Sequence, residues 1–252
     1  MDNQILLQLE EIERVENVRI LHAVESGSRA WGFASPDSDY DVRFIYVRTA
    51  EDYLHLEKTR DVIEWMQDGI LDINGWDLQK TLRLLHSSNP TLFEWSNSPI
   101  IYRSTEYWMT IKQEASNYFL KKTGLYHYHS MATSNYREYL KGETVKLKKY
   151  FYVIRPLLAC KWILDKSCPP PVLFSELVEA ELEPDIRPII DDLLKMKVGL
   201  PEIAEGRRID ALNEYIERKI ADTKVLIEAL PPDEKPGWDR LNELFHQALL
   251  PK

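Results

Sequence analysis

Residues 25–47, ESGSRAWGFASPDSDYDVRFIYV, contain the most informative pattern of the chain. This stretch ends in residues 41–47, DVRFIYV, a run of β-branched and aromatic residues that is typical of a buried strand. Residues 18–24, VRILHAV, predict another strand just before it. The sequence therefore predicts two strands joined by a segment that begins with glycine and serine.

Two aspartates, Asp39 and Asp41, stand at the start of the second predicted strand. Side chains at positions i and i+2 of a strand project from the same face, so these carboxylates should converge. Close carboxylates repel one another, and Mg²⁺ or Mn²⁺ relieves that repulsion through oxygen ligands. The alternative is a solvated strand end with an Asx turn at Ser38 and Asp39.

Gly27 and Ser28 directly follow the first predicted strand. Small residues at such a turn leave backbone N–H groups open to close approach by a phosphate. A tight turn with no ligand is the alternative. The order of the two motifs, a glycine-serine turn followed by paired aspartates, favours a phosphate site beside a metal.

The flanking sequence predicts a helix and a hairpin. Apolar residues recur at helical spacing over residues 5–15, with glutamates on the opposite side. Residues 61–66 and 70–76 are apolar runs on either side of Gln67-Asp68-Gly69, and Asp-Gly between such runs indicates a β-hairpin. The first third of the chain should thus be helix plus mixed sheet.

After Trp76 the apolar period changes from about two to about 3.6, and we expect helices from there on. The fold class is therefore predicted as α+β, with an α+β domain over residues 1–100 and a helical domain over residues 101–252. Gly124, Gly142, the Pro169–Pro171 run and Gly206 are expected to separate the helices. The predicted helices span residues 105–122, 130–141, 144–165, 175–198 and 209–229, with a last one around 238–245.

Composition narrows the class of protein. The 252 residues are 44% hydrophobic, enough for a large core, yet no apolar run reaches the length needed to cross a bilayer. A net charge of −9 disfavours broad electrostatic capture of nucleic acid, although it is compatible with a local basic groove. Two cysteines and an acidic, periodic start predict a cytoplasmic protein with no membrane partner.

The glycine turn and the aspartate pair, GSRAWG and SDYDVRFIY, resemble the signature of the DNA polymerase β-type nucleotidyltransferase superfamily. More narrowly, the chain resembles the predicted nucleotidyltransferases associated with RNA repair. That resemblance rests on residues 27–47 and on three later segments: GWDLQKTLRLL, SNPTLFEW and KLKKYFYVIRPLLA.

The resemblance implies a palm-like mixed sheet and transfer of a nucleoside monophosphate from an NTP to an acceptor hydroxyl, with release of pyrophosphate. Asp39 and Asp41 would hold Mg²⁺ or Mn²⁺, while Gly27 and Ser28 would hold the triphosphate. The superfamily also needs a third carboxylate. We favour Asp72, inside the predicted hairpin, over Asp77, which stands where an aspartate caps a helix. Glu64 is a weaker choice.

Basic residues complete the predicted NTP site. Arg29 and Arg43 could neutralise phosphate, and the alternative for each is a surface arginine or a salt-bridge partner. Residues 137–161 contain seven basic and two acidic residues, interleaved with tyrosines. Lys148, Lys149 and Arg155 are our choices there for NTP contacts, the alternative being an exposed basic helix face.

The RNA-repair resemblance suggests an RNA end as the acceptor. The alternative function is a catalytically weak, nucleotide-binding or antitoxin-like regulator with the same fold. Acceptor, preferred NTP and oligomeric state are left open by the sequence.

Overall fold

The computed structural model describes residues 1–35, 38–57, 59–67, 69–199 and 205–250. Its first part alternates helices with strands. In chain order these elements are α1 (Asp2–Glu16), β1 (Arg19–Glu25), the one-turn α2 (Gly27–Ala30), β2 (Tyr40–Val47), β3 (Val62–Gln67), β4 (Leu71–Asp77), α3 (Leu78–His86), α4 (Pro90–Ser96), β5 (Ile101–Ser104) and α5 (Glu106–Ala115).

The remainder is mostly helical. It comprises α6 (Lys121–Tyr139), β6 (Thr144–Lys146), α7 (Lys149–Lys166), α8 (Phe174–Glu181), α9 (Arg187–Gly199), β7 (Glu205–Arg207), α10 (Asp210–Ala229) and α11 (Asp239–Leu249). The α+β class predicted from the sequence is confirmed: an N-terminal mixed sheet with helices precedes a mostly helical region. No helix in the described ranges is long and apolar enough to cross a membrane.

The strands β1 to β5 form one sheet in the order β3-β4-β2-β1-β5. β2 is antiparallel to β1 but parallel to β4, which makes the sheet mixed. β3 and β4 form the predicted hairpin, although Asp68 of its turn lies outside the described residues. The parallel pairing of β2 with β4 sets Asp41 directly beside Asp72.

The opening helix was also predicted correctly. Ile5, Leu9 and Ile12 of α1 are buried at helical spacing in the same hydrophobic cluster as apolar residues of the sheet. Strand β5 was not predicted, since its four residues are half-buried or exposed and carry no clear alternation.

Several helix predictions were wrong in their boundaries. Residues 144–146 form β6, which pairs with β7 at residues 205–207, so Gly206 lies inside a strand. The predicted helix over 175–198 is two helices, α8 and α9. The predicted helix over 105–122 ends in a short 3₁₀ turn at Ser116–Tyr118, before α6 begins.

Gly124 does not separate helices but lies inside α6. A Cβ at this position would stand 3.1 Å from the Phe119 ring and 3.5 Å from Ile163 of α7. The glycine is therefore a point of close packing between α6 and its neighbours, and the helix tolerates it because burial offsets its low helix propensity.

The chain forms two compact units. The first contains Met1–Ala30, Asp39–Tyr118 and Lys235–Lys252, and the second contains Trp31–Ser38 and Phe119–Glu234. The first unit has its core around the sheet, and the second has its core among the helices α6, α7, α8, α9 and α10. The domain boundary at residue 100 stays a prediction.

Candidate active site

The glycine turn after β1 is shaped by the approach of Asp41. Gly27 has φ +60, in the left-handed region that favours glycine. A Cβ built at Gly27 would lie 2.1 Å from Oδ2 of Asp41, which no real side chain could tolerate. Gly27 therefore lets the Asp41 carboxylate reach the backbone of the turn, and Ser28 beside it is buried.

Asp41 and Asp72 are direct neighbours across the parallel pair β2 and β4. Arg43, two residues after Asp41 and on the same strand face, links them. Its Nη2 donates to Oδ1 of Asp41 at 3.0 Å and to Oδ2 of Asp72 at 2.8 Å, while Nη1 donates to the Asp72 carbonyl at 3.0 Å. Two carboxylates thus converge on one cation at the start of these strands.

Burial raises the pKa of the Asp41 carboxyl above its ordinary value. The Arg43 guanidinium lowers this pKa, whereas the Asp72 and Asp39 carboxylates raise it. The Asp41 side chain is 33% exposed. The ionised form of a partly desolvated carboxylate with like charges nearby is stabilised by any additional cation that binds it.

Glu25, the last residue of β1, supports this site and was missed by the sequence analysis. It is completely buried, and its Oε1 accepts a hydrogen bond from the backbone N–H of Asp41 at 2.7 Å. Its Oε2 accepts from the hydroxyl of Tyr102 on β5. Burial raises the pKa of Glu25. Its place directly before the glycine turn was visible in the sequence, but nothing there separated it from a surface glutamate.

Arg29 and Asp39 flank the carboxylate pair. The Arg29 guanidinium lies 3.7 Å from the centroid of the Tyr40 ring, and its Nε donates to the Asp39 carbonyl at 3.1 Å. Asp39 itself is exposed. Both residues belong to the first unit, with the glycine turn and the aspartate pair.

The other two candidates for the third carboxylate lie elsewhere on the sheet. Asp77 is buried and caps α3, because its Oδ1 accepts from the Gln79 N–H at 2.7 Å. Glu64, on β3, is exposed and lies opposite Asn74 of β4. Of the candidates, Asp72 is the one in register with Asp41.

The donor chemistry of Asp39, Asp41 and Asp72 suits a hard divalent cation. Within the described part of the chain, Oδ2 of Asp41 accepts no hydrogen bond and so has a coordination position to offer. The three do not form a closed cage: the described residues contain no group of three or more His, Cys, Asp or Glu arranged to hold a metal. Asp41 and Asp72 are the two carboxylates that converge, and a metal held between them stays a prediction.

The basic residues predicted to bind the NTP belong to the second unit. Lys149 begins α7, and its Nζ lies 3.8 Å from the centroid of Tyr139 and 4.9 Å from that of Tyr152. Lys148 immediately precedes it. Arg155 is only 1% exposed, stacks 4.6 Å from the centroid of Trp31, and donates to the Val172 carbonyl at 3.3 Å. An NTP contact by any of these three stays a prediction.

Comparison with known proteins defines the family. Residues 1–247 match the model of the family described as RlaP, RNA repair pathway DNA polymerase beta family. The chain belongs to this family. A Bacillus subtilis (strain 168) protein, named "Uncharacterized protein YcgL", is 43% identical over 250 residues, covering 97% of this chain and 95% of that protein.

Membership in a polymerase β family implies a divalent metal as the typical cofactor and suggests NTP binding. Among solved structures, a nucleotidyltransferase-like protein from Exiguobacterium sibiricum 255-15 is 14% identical, with a TM-score of 0.32, over 91% of this chain and 75% of that one. At this TM-score the match adds nothing to the assignment of the site.

Proposed function

We propose that the protein is a metal-dependent nucleotidyltransferase that moves a nucleoside monophosphate from an NTP to an acceptor hydroxyl and releases pyrophosphate. The observation that carries the proposal is the register of β2 and β4. It pairs Asp41 with Asp72 at the point where Gly27 leaves room for the Asp41 carboxylate.

Asp39, Asp41 and Asp72 would hold Mg²⁺ or Mn²⁺, which when bound supplies charge neutralisation for the attacking and leaving oxygens. The chain's own groups do the positioning. Glu25 fixes the backbone of Asp41, and Arg43 fixes its side chain against Asp72. Gly27 and Ser28 would hold the triphosphate, and Arg29 would supply a cation on the same side.

A direct test is to incubate the purified chain with each α-labelled NTP, Mg²⁺ or Mn²⁺ and a mixed pool of RNAs. We expect label to be transferred to RNA ends with release of pyrophosphate. The double variant Asp39→Asn, Asp41→Asn should lose transfer, because a neutral amide lacks the negative charge with which a carboxylate binds Mg²⁺. Glu51→Gln, which changes an exposed carboxylate of the same unit, is the matched control and should transfer normally. Equal labelling by the double variant would refute the assignment.

A nucleotide-binding regulator is the second candidate, and Arg43 is the observation that favours it. A guanidinium hydrogen-bonded to both Asp41 and Asp72 already neutralises part of the charge that a metal would neutralise. If the protein binds NTPs but releases no pyrophosphate with any acceptor, the regulatory function replaces the transferase.

A further inference from the structure

A row of alternating rings and cations lies in the second unit, whereas Asp39, Asp41 and Asp72 belong to the first. The Lys149 ammonium lies 3.8 Å from the centroid of the Tyr139 ring and 4.9 Å from that of Tyr152. The Tyr152 and Trp31 rings meet edge to face, with centroids 5.4 Å apart. Arg155 stacks beneath Trp31. We call Trp31, Tyr139, Lys149 and Tyr152 the aromatic ladder.

The ladder reaches the surface, whereas two neighbouring tyrosines do not. Its four members are partly exposed. Tyr136 and Tyr150 are buried instead. Their hydroxyls donate hydrogen bonds to the side-chain oxygens of Glu217 and Asn213, respectively. The tyrosines interleaved with basic residues in the sequence therefore divide into an internal polar network and a surface row.

Charge around the ladder is positive although the chain is acidic. Arg137 and Lys141 stand two residues on either side of Tyr139, and Lys146 precedes Lys149 by three; all three are exposed. Glu138 and Glu143 are the acidic residues of this stretch. A local excess of cations in a chain with net charge −9 marks a surface suited to an anion.

We propose that the aromatic ladder binds single-stranded RNA, as the site that holds the acceptor strand; this role rests on the proposed function. Proteins bind single strands by stacking bases on aromatic rings beside cations that follow the backbone. Lys149, already held by two rings, has little side-chain freedom to lose when it meets a phosphate. Duplex RNA keeps its bases stacked on one another and does not offer their faces to such a row.

This assigns Lys149 a ligand other than the triphosphate predicted from the sequence. An NTP has one base, which a single ring can stack, whereas the ladder offers three rings in succession. The proposal therefore predicts that changes in the ladder weaken RNA binding and leave NTP binding intact.

The test measures fluorescence anisotropy of a short fluorescein-labelled single-stranded RNA with the full chain. Tyr152→Leu should lower affinity about tenfold through loss of base stacking, and Tyr152→Phe, which keeps the ring, should restore most of it. Tyr126→Leu, a change at a 51% exposed tyrosine of α6 outside the ladder, should bind like wild type. Thermal unfolding of each variant shows that it is folded.

The salt dependence of RNA binding distinguishes the contribution of Lys149 from that of the Tyr152 ring. Lys149→Met should reduce the slope of log affinity against log salt by about 0.7, whereas Tyr152→Leu should leave the slope unchanged. An abasic strand of the same length should bind the wild type about as weakly as the normal strand binds Tyr152→Leu.

Three outcomes would overturn the proposal. Tyr152→Leu and Tyr126→Leu could bind RNA equally, the abasic strand could bind as tightly as the normal strand, or Tyr152→Leu could lose affinity for a fluorescent ATP analogue together with RNA. Failure of the proposed function has a different signature. In that case the wild type would transfer no nucleotide with any acceptor, while ladder-dependent RNA binding would persist.

Discussion

The two ends of strand β4 carry aspartates that behave in opposite ways. Asp77, at the C-terminal end, is 4% exposed and uses both oxygens in the fold: Oδ1 accepts from the Gln79 N–H and Oδ2 from the Tyr53 hydroxyl, each at 2.7 Å. Asp72, near the N-terminal end, has a side chain that is 49% exposed and accepts a side-chain hydrogen bond from Arg43.

The difference shows what separates a structural carboxylate from one that is available for chemistry. Asp77 caps a helix and accepts from a tyrosine hydroxyl, so both of its oxygens have partners within the fold. Asp72 and its neighbour Asp41 share one cation and keep oxygens for a further one.

The largest effect should come from replacing each aspartate of β4. Asp72→Asn should lower nucleotide transfer about 10³-fold, because loss of a metal ligand removes several kcal/mol of transition-state stabilisation. Asp77→Ala should transfer nucleotide nearly as fast as wild type under conditions in which the variant is folded. It should lower the free energy of unfolding by about 2–3 kcal/mol, because the helix cap is lost and a tyrosine hydroxyl is left unsatisfied. Pyrophosphate release and urea unfolding measure the two effects.

Asp77→Asn is the control for this pair, since an asparagine oxygen can still accept from the Gln79 N–H. It should be more stable than Asp77→Ala. The contrast between the two ends of β4 would fail if Asp72→Asn unfolded as readily as Asp77→Ala, or if Asp77→Asn abolished transfer in a folded protein.

The next effect should come from Gly27→Ala compared with Gly69→Ala. Both glycines have positive φ, +60 and +79, so each alanine should cost about 1–2 kcal/mol of backbone strain. At Gly27 the added Cβ also collides with Asp41, whereas nothing lies within 4 Å of a Cβ at Gly69. If this collision moves the Asp41 carboxylate by about 1 Å, the rate of transfer can fall about 10²-fold.

Gly27→Ala should therefore lose about 10²-fold in transfer, while Gly69→Ala loses stability alone. Transfer assays at a temperature where both variants are folded make the comparison. If both alanine variants transferred equally well, the close approach of Asp41 to the turn would have no functional importance.

A smaller effect is expected for Arg43→Gln on metal affinity. The guanidinium bonds one oxygen of Asp41 and one of Asp72, so it competes with a metal for the same charge. Removing it should strengthen Mn²⁺ binding about tenfold, which corresponds to about 1.4 kcal/mol. Calorimetric titration with Mn²⁺ measures this without turnover. Weaker Mn²⁺ binding would contradict this competition and would show that Arg43 acts only by positioning the two carboxylates.

Much of this site was predictable from sequence because its parts are local. The alternation around Asp39 and Asp41, the Asp-Gly turn of the hairpin and the capping position of Asp77 are each contained in a few residues. Asp72 was preferred over Asp77 for that reason, and the structure places it opposite Asp41. The catalytic roles themselves stay predictions.

The rest depends on pairings that no local pattern encodes. No local pattern identifies the partners of Arg43, and only the parallel register of β2 with β4 brings it to Asp72. Glu25 is buried because β5, a strand without a clear pattern, adds Tyr102 beside it. The ribbon of β6 and β7 joins residues about sixty apart in three-residue strands, too short to show a period.

The smallest effect should appear in the pH dependence of metal binding. A metal binds the ionised carboxylate, so Mn²⁺ affinity falls as pH drops through the pKa of Asp41. Burial raises that pKa, and affinity should therefore begin to fall at a higher pH than for a solvated aspartate. Arg43 lowers the pKa, so Arg43→Gln should move the midpoint to higher pH, whereas Asp39→Asn should move it to lower pH.

Asp77→Asn serves as the control in this titration, because Asp77 lies at the other end of β4 and should not change the midpoint. The sign for stability is the reverse of that for metal binding. A folded-state pKa above the unfolded value stabilises the protein when Asp41 is protonated, and this stability is lost as pH rises through the folded pKa. Asp41→Asn should therefore unfold with a flatter dependence on pH than wild type, while binding Mn²⁺ more weakly at neutral pH. A midpoint that moved with Asp77 instead of with Arg43 and Asp39 would locate the metal at the wrong end of the strand.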